Sequence, residues 1–339
     1  TIIATNTSSL SVEDLATLSD RPDRFIGLHF FYHPAKNRLV EIIPSSRTSS
    51  ETIQSVIQYC GAMGKVVILC KDRPGFVVNR FFVPWLNEAC KLLDEGFGTP
   101  AEIDNVAKDC FDIGMGPFEL MNLTGPSIAL HSTDYLASQL QVDRYKGADS
   151  LRRLVEEGIQ WDLAGVSGEF SSKDRKEIRN RLLGVVLCIA SQIVEEEICA
   201  MEDVDRGAKV GLRWPMGPFE LANDLGVDVA HGIASDYAVL AGFESPIILS
   251  TQGSEPFEFK LIDLEVTNGM ASITFNRPEA MNSLTYQLYA DLEDTVRTSE
   301  ARVLVITGSG RAFCAGDDMK QILGSSDNQE KPFCRLCRC

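Results

Sequence analysis

The sequence predicts an α/β sheet at the start, an all-α region made of two copies of one helical unit in the middle, and a shorter α/β segment at the end. Three observations carry that expectation. Short Ile/Val/Phe-rich runs alternate with helix signals up to residue 74. A block of identical residues returns 101 positions later within the helical part. An Asn-Gly turn between two alternating runs opens the last part. With 339 residues, 44% hydrophobic and 24% charged, the chain is long enough for several cores and has an ordinary globular composition.

Taken in order, 1–5 reads as a strand, and Ser11-Val-Glu-Asp14 opens a helix with a capping box. Strands follow at 25–31 and 39–43, a helix at 50–63, and a strand at 65–70 that Asp72-Arg-Pro74-Gly75 stops. From 76 to 140 the pattern is helical. Asn79-Arg80 returns as Asn180-Arg181, Ile103-Asp104 as Val204-Asp205, and Met115-Gly-Pro-Phe-Glu-Leu120 as Met216-Gly-Pro-Phe-Glu-Leu221, in register without a gap. The charged stretch 141–172 is expected to be a linker. In the last part, strands at 259–266 and 270–275 flank Thr267-Asn268-Gly269, followed by a helix at 284–299 and a buried strand at 303–307. The expected domains are therefore 1–74, 75–140, a linker 141–172, 173–250, 258–324 and an irregular tail 325–339.

Charge and composition remove several function classes. Forty-eight acidic against 32 basic residues give a net charge of −16, which repels a phosphate backbone, so no nucleic-acid partner is expected. No apolar run reaches the roughly 18–20 residues of a membrane span, and Thr1-Ile2-Ile3-Ala4 has no signal-peptide core, so neither a membrane nor a secretory route is expected. Of ten cysteines, seven are scattered among mostly apolar residues, which fits reduced thiols in a cytoplasmic protein. Cys334, Cys337 and Cys339 supply three of the four thiolates of a zinc or iron–sulfur site, but no fourth ligand is near; a frayed tail is the preferred reading, and no metal is expected.

Two places invite chemistry. Gly308-Ser-Gly310 after a strand imitates a dinucleotide-binding turn, but Phe313 stands where the third glycine is needed. His29, at the end of an apolar strand, and Glu41, twelve residues on between Val40 and Ile42, would pair if their strands were neighbours. A structural histidine and a carboxylate-oriented catalytic base both remain open at this point.

The segments Asn6-Thr-Ser-Ser-Leu10, Arg24-Phe-Ile-Gly-Leu-His-Phe-Phe31, Leu39-Val-Glu-Ile42, Pro74-Gly-Phe-Val-Val-Asn-Arg80 and Met115-Gly-Pro-Phe-Glu-Leu120 together resemble the L-3-hydroxyacyl-CoA dehydrogenases of fatty-acid β-oxidation, over roughly residues 1–245. The resemblance implies that 1–74 is the later part of a Rossmann-type NAD-binding domain and that the substrate is an acyl-CoA thioester. It further implies that His29 takes the proton from the 3-hydroxyl with Glu41 as its partner. Ser8 and Asn79 would hydrogen-bond the reacting oxygen and the thioester carbonyl. The alternative roles are capping the following turn for Ser8 and capping the first helix of the helical region for Asn79. Asn180, without a His-bearing strand before it, is expected to be structural. Tyr32 stands where the family has an Asn that contacts cofactor or substrate, and Ser8 and Tyr32 are the expected cofactor-binding residues. The family's glycine-rich turn is not within this sequence, so the chain reads as a fragment expected to be inactive alone.

From about residue 259 to 324 the chain resembles a second family, the enoyl-CoA hydratases/isomerases or crotonases, through Phe275-Asn-Arg-Pro278, Met281-Asn-Ser-Leu284, Val303-Leu-Val-Ile-Thr-Gly308 and Ala312-Phe-Cys-Ala-Gly-Asp-Asp-Met319. The likeness implies an oxyanion hole and CoA contact at Ala315, Gly316 and Asp317, with the Asp317 backbone N–H as donor. The second donor and the water-activating glutamates are expected beyond residue 339. The whole reads as a piece of a bifunctional β-oxidation enzyme whose two helical copies form an intrachain pseudo-dimer. The alternatives are a dehydrogenase of non-CoA hydroxy acids on the same scaffold, and a non-enzymatic assembly module.

Overall fold

The computed structural model describes residues 1–165, 170–319 and 321. The described residues divide into two compact units, those of 1–53 with 68–257, and those of 54–67 with 258 onward.

The N-terminal region follows the predicted alternation: β1 (Ile3–Thr5), α1 (Val12–Ala16), β2 (Phe25–Phe30), β3 (Leu39–Pro44), α2 (Ser50–Ala62) and β4 (Val66–Leu69). The strands form one sheet in the order β1-β2-β3-β4. β1 runs parallel to β2, and β2 antiparallel to β3, with His29 directly opposite Glu41. Gly27 is required here, because a Cβ would lie 2.7 Å from Val12 Cγ2 and 3.0 Å from Ile43 Cβ, where α1 packs on the sheet.

The first helical copy holds α3 (Val78–Asp94), α4 (Pro100–Phe111), α5 (Pro117–Thr124), α6 (Pro126–Leu140) and α7 (Asp149–Glu157). The second holds α8 (Ser172–Glu195), α9 (Met201–Arg206) running into a π-helix at Gly207–Leu212, α10 (Pro218–Leu225), α11 (Val227–Ala241) and α12 (Ile247–Gln252). The identical sequence blocks perform identical tasks. Asp104 accepts the N–H groups of Phe118 and Glu119 at 2.8 and 2.9 Å, and Asp205 those of Phe219 and Glu220, both at 2.8 Å. Each aspartate thus satisfies two of the orphan donors at the start of α5 or α10. Lys108 pairs with Glu119 as Lys209 pairs with Glu220.

The stretch 141–172 is not the bare linker expected. It contains α7, which buries Leu151 and Leu154, and it ends the first copy with an aromatic clasp. Trp161 packs edge-on to Phe118 at 4.8 Å, and Asn122 exchanges two hydrogen bonds with the Trp161 backbone. The second copy repeats the clasp with Phe219, Asn223 and Phe257, so it runs past the expected boundary at 250. Leu151, Leu154 and Val155 stand at i, i+3 and i+4, the spacing of one helix face, a signal that the charge of the surrounding stretch masks.

The copies meet through α3 and α8, packed side by side. Arg80 on α3 pairs with Glu196 at 2.5 Å, and Arg181 on α8 pairs with Glu95. Fully buried Glu88 lies between Arg181 and Arg144. Trp214 of the second copy sits 5.5 Å from Trp85 and 4.7 Å from Phe111 of the first. The π-helix packs against the sheet, where a Cβ on Gly211 would come 2.6 Å from Leu39 Cδ2, and Asn37 donates to the Gly211 carbonyl at 2.8 Å.

The second unit carries β5 (Ile262–Thr267), β6 (Met270–Phe275), α13 (Tyr286–Thr298) and β7 (Val303–Gly308) in a three-stranded sheet. β5 and β6 form the expected hairpin, with Asn268 and Gly269 at φ 52° and 76°, and β7 joins β6 in parallel. Strand β7, expected to be buried, has Val303, Leu304, Val305 and Ile306 exposed. Its core is small: Ile262, Ile273, Phe275 and Leu288. The tail 325–339 with Cys334, Cys337 and Cys339 lies outside the described residues. Among the described residues, no helix is long and apolar enough to cross a membrane.

Candidate active site

The pairing of β2 with β3 turns the twelve-residue spacing of His29 and Glu41 into a contact. His29 Nδ1 lies 2.6 Å from Glu41 Oε2, both side chains are buried, and the ring packs against Phe31 and Phe76. The other carboxylate oxygen, Oε1, accepts the backbone N–H groups of Val77 at 3.1 Å and Val78 at 2.9 Å. Glu41 is therefore the cap of α3, and the positive end of that helix stabilises its negative charge. A buried carboxylate with three donors is satisfied in a way the sequence did not reveal, because the cap comes from a strand 36 residues upstream. Nδ1 is committed to Glu41, which leaves Nε2 as the nitrogen able to take a proton.

Glu41's capping of α3 also takes from Asn79 the capping role considered for it. Asn79 is a half-buried residue of the first turn, not the cap, and its side chain makes no hydrogen bond to a described residue. Ser8 is likewise released from the capping role considered for it. The turn after β1 is closed by Thr7, whose Oγ1 accepts the N–H groups of Ser9 at 3.3 Å and Leu10 at 2.7 Å, and Ser8 itself is exposed. Asn6 Oδ1 accepts the Phe30 N–H at 2.9 Å, which fixes this turn beside the end of β2, one residue from His29. Tyr32 is 82% exposed just past the same strand end. Ser8, His29 and Tyr32 thus gather at the carboxyl ends of the parallel pair β1 and β2, the edge at which α/β sheets bind nucleotides. In the second copy, Asn180 accepts from Arg179 and has no dyad before it.

In the second unit, the isolated parallel bridge of Leu284 with Asp317 organises the other candidate residues. Leu284 N–H donates to the Gly316 carbonyl at 2.8 Å, and Asp318 N–H donates to the Leu284 carbonyl at 2.9 Å. Ala315 N–H is used by Met281 and Gly316 N–H by the Cys314 sulfur. The Asp317 N–H points away from the bridge and donates to no described residue, and its carboxylate accepts from Tyr289 at 2.7 Å. The glycines at 308 and 310 serve a turn: a Cβ on Gly308 would lie 2.2 Å from the Phe313 carbonyl oxygen.

Comparison with known proteins shows the family. Residues 1–73 match the model of the 3-hydroxyacyl-CoA dehydrogenase NAD binding domain, and residues 75–161 and 178–251 match that of the same enzymes' C-terminal domain. Over these residues the chain belongs to the 3-hydroxyacyl-CoA dehydrogenase family. The first C-terminal-domain match ends at Trp161, the residue that closes the first clasp. Residues 265–335 match the model of enoyl-CoA hydratase/isomerase. The chain is 44% identical over 125 residues to the mitochondrial hydroxyacyl-coenzyme A dehydrogenase of Mus musculus, covering 37% of this chain and 40% of that protein. It is 31% identical over 268 residues to the fatty acid oxidation complex subunit alpha of Vibrio parahaemolyticus, covering 70% of this chain and 37% of that one. The crystal structure of 3-hydroxybutyryl-CoA dehydrogenase from Escherichia coli K12 superposes with a TM-score of 0.65, covering 74% of this chain and 75% of that one at 20% identity, a likeness of fold. The chain spans about two fifths of the length of the mitochondrial relatives it matches.

Proposed function

We propose that this chain carries the proton-transfer site of an NAD-dependent 3-hydroxyacyl-CoA dehydrogenase, joined to an enoyl-CoA hydratase/isomerase segment that acts on the same class of thioester. The observation that carries the reading is the 2.6 Å contact of His29 Nδ1 with a Glu41 held by the first two N–H groups of α3. This arrangement fixes the ring and presents Nε2 to the substrate's 3-hydroxyl. His29 takes the hydroxyl proton, and Glu41 stabilises the imidazolium that results. Ser8 and Asn79 supply hydrogen bonds to the reacting oxygen and the thioester carbonyl, holding the hydroxyl toward His29. Nicotinamide, when bound, supplies the acceptor for the hydride. Ser8 and Tyr32, exposed at the carboxyl ends of β1 and β2, are the residues of this chain that would touch it.

The Asp317 N–H, free of the bridge beside it, fits an oxyanion donor for a thioester carbonyl, with Gly316 and Ala315 shaping its approach. Reciprocal ion pairs support an intrachain pseudo-dimer of the two helical copies. Arg80 bonds Glu196 and Arg181 bonds Glu95, each position in one pair being 101 residues from its counterpart in the other, as an isologous contact requires. Free and mostly buried cysteines support a reducing, cytoplasmic setting.

The test is an assay of the polypeptide encoded by the reading frame that contains this sequence, with acetoacetyl-CoA and NADH. Oxidation of NADH that depends on the thioester is expected. Turnover of free acetoacetate at the same rate would replace the CoA reading with that of a hydroxy-acid dehydrogenase.

A further inference from the structure

Helix α6 of the first copy touches both loops that build the dyad site. Tyr135 donates its hydroxyl hydrogen bond to the Ser9 carbonyl, in the turn after β1. The next residue, Leu136, packs on the loop before α3, where a Cβ on Gly75 would lie 3.0 Å from Leu136 Cδ2 and equally close to the Arg80 backbone. The rest of the turn is tied to other elements: Asn6 to the Phe30 N–H, Thr7 to its own turn, and Ser11 Oγ and Glu13 N–H to Asp72 Oδ2 at 2.9 and 2.8 Å. Between these anchors stands Ser8, exposed and with no bond to a described residue. Burial, and then the Asp72 charge, pushes the Tyr135 hydroxyl's pKa up and so keeps it a donor.

We propose that Tyr135 is a positioning residue: by holding the Ser9 carbonyl from the helical copy, it sets where Ser8 presents its hydroxyl relative to His29. The consequence for turnover rests on the dehydrogenase reading; the clamp itself does not. Leu123 at the end of α5 and Ile128 near the start of α6, both exposed, have no comparable link to the site. A Tyr135→Phe change keeps the ring's packing and removes only the donor.

Two measurements test it. In hydrogen exchange on this chain, Tyr135→Phe should speed amide exchange across residues 6–11 by about fivefold, the factor that one ordinary hydrogen bond represents, with exchange in α8 and α11 unchanged. In steady-state kinetics of the polypeptide encoded by the reading frame that contains this sequence, with acetoacetyl-CoA and NADH, the same change should lower kcat by about tenfold with little effect on KM. In a Ser8→Ala background it should have no further effect, because Tyr135 acts through Ser8. Unchanged exchange at 6–11 overturns the clamp. Unchanged kcat, or a loss that simply adds to that of Ser8→Ala, overturns the positioning role and leaves the dehydrogenase reading standing. A wild-type full reading-frame polypeptide without turnover, with the exchange result intact, removes the dehydrogenase reading and with it the positioning role, and leaves the clamp.

Discussion

The two helical copies share a framework and differ in what their first helix meets. Asp104 and Asp205 cap equivalent helices, Asn122 and Asn223 close equivalent clasps, and Phe118 and Phe219 are equally buried. Yet only α3 receives Glu41 at its N-terminus, whereas α8 begins with Ser171 accepting from the Asp174 N–H. The second copy instead turns a π-helix toward the sheet, with glycines at 207 and 211 where the first copy has Val106 and Cys110. On the dehydrogenase reading, one sequence unit therefore joins the proposed reaction site or buttresses it according to its neighbours. On that reading the chemistry belongs to the loop and strand that abut the helix end, together with the first turn of α3, rather than to the repeated helices as such.

The comparison can be broken first at the shared clasp. Phe118→Ala and Phe219→Ala should each cost about 3–5 kcal/mol in chemical denaturation, because each removes a fully buried ring. Loss from only one of them would mean that the copies are not equivalent supports. Next comes the asymmetry of function. Asn79→Ala should lower turnover by about 10²-fold while Asn180→Ala leaves it within twofold in the same thioester assay. Equal losses would end the distinction between the copies.

The contact between the copies offers a smaller effect. Arg181→Met leaves buried Glu88 with Arg144 alone and should cost about 2 kcal/mol. Arg80→Met exposes only the half-open Glu196 and should cost about 1 kcal/mol or less. Urea unfolding of the two variants decides the order.

The smallest effect sharpens the caps. Burial pushes the Asp104 carboxyl up to about 6 against its two backbone donors. Burial and the Glu220 charge push that of Asp205 up to about 8. Both are raised above the unfolded value of about 3.9. Within those windows the folded chain keeps a proton that the unfolded chain has released, so stability falls as pH rises. Between pH about 6 and about 8 the slope belongs to Asp205, and Asp205→Asn should flatten it, whereas Asp104→Asn should act only between about 4 and 6. Denaturation midpoints across this range that fall equally in both variants would contradict the difference in burial.

Much of the fold could be read from the sequence because its signals are local. The strands carry continuous apolar runs, proline opens several helices, and the Asn268-Gly269 pair requires positive φ at both positions. The dyad was legible as well, because a carboxylate between Val40 and Ile42 needs a partner and His29 is in reach across one strand pair. The contacts that complete the site were not legible. The N–H groups of Val77 and Val78 leave no side-chain signature, and Tyr135 looks like any aromatic on a helix until the Ser9 carbonyl meets it from 126 residues away. The clasp at Trp161 escaped for the same reason, since a 39-residue separation from Asn122 carries no periodicity.

The central claim is that the N-terminus of α3, through Glu41, orients His29 to accept the substrate proton. His29→Ala in the polypeptide encoded by the full reading frame, measured with acetoacetyl-CoA and NADH at neutral pH, tests it most directly. Turnover should fall by at least about 10²-fold at a temperature at which the variant remains folded. A rate near that of the wild-type protein would contradict the account.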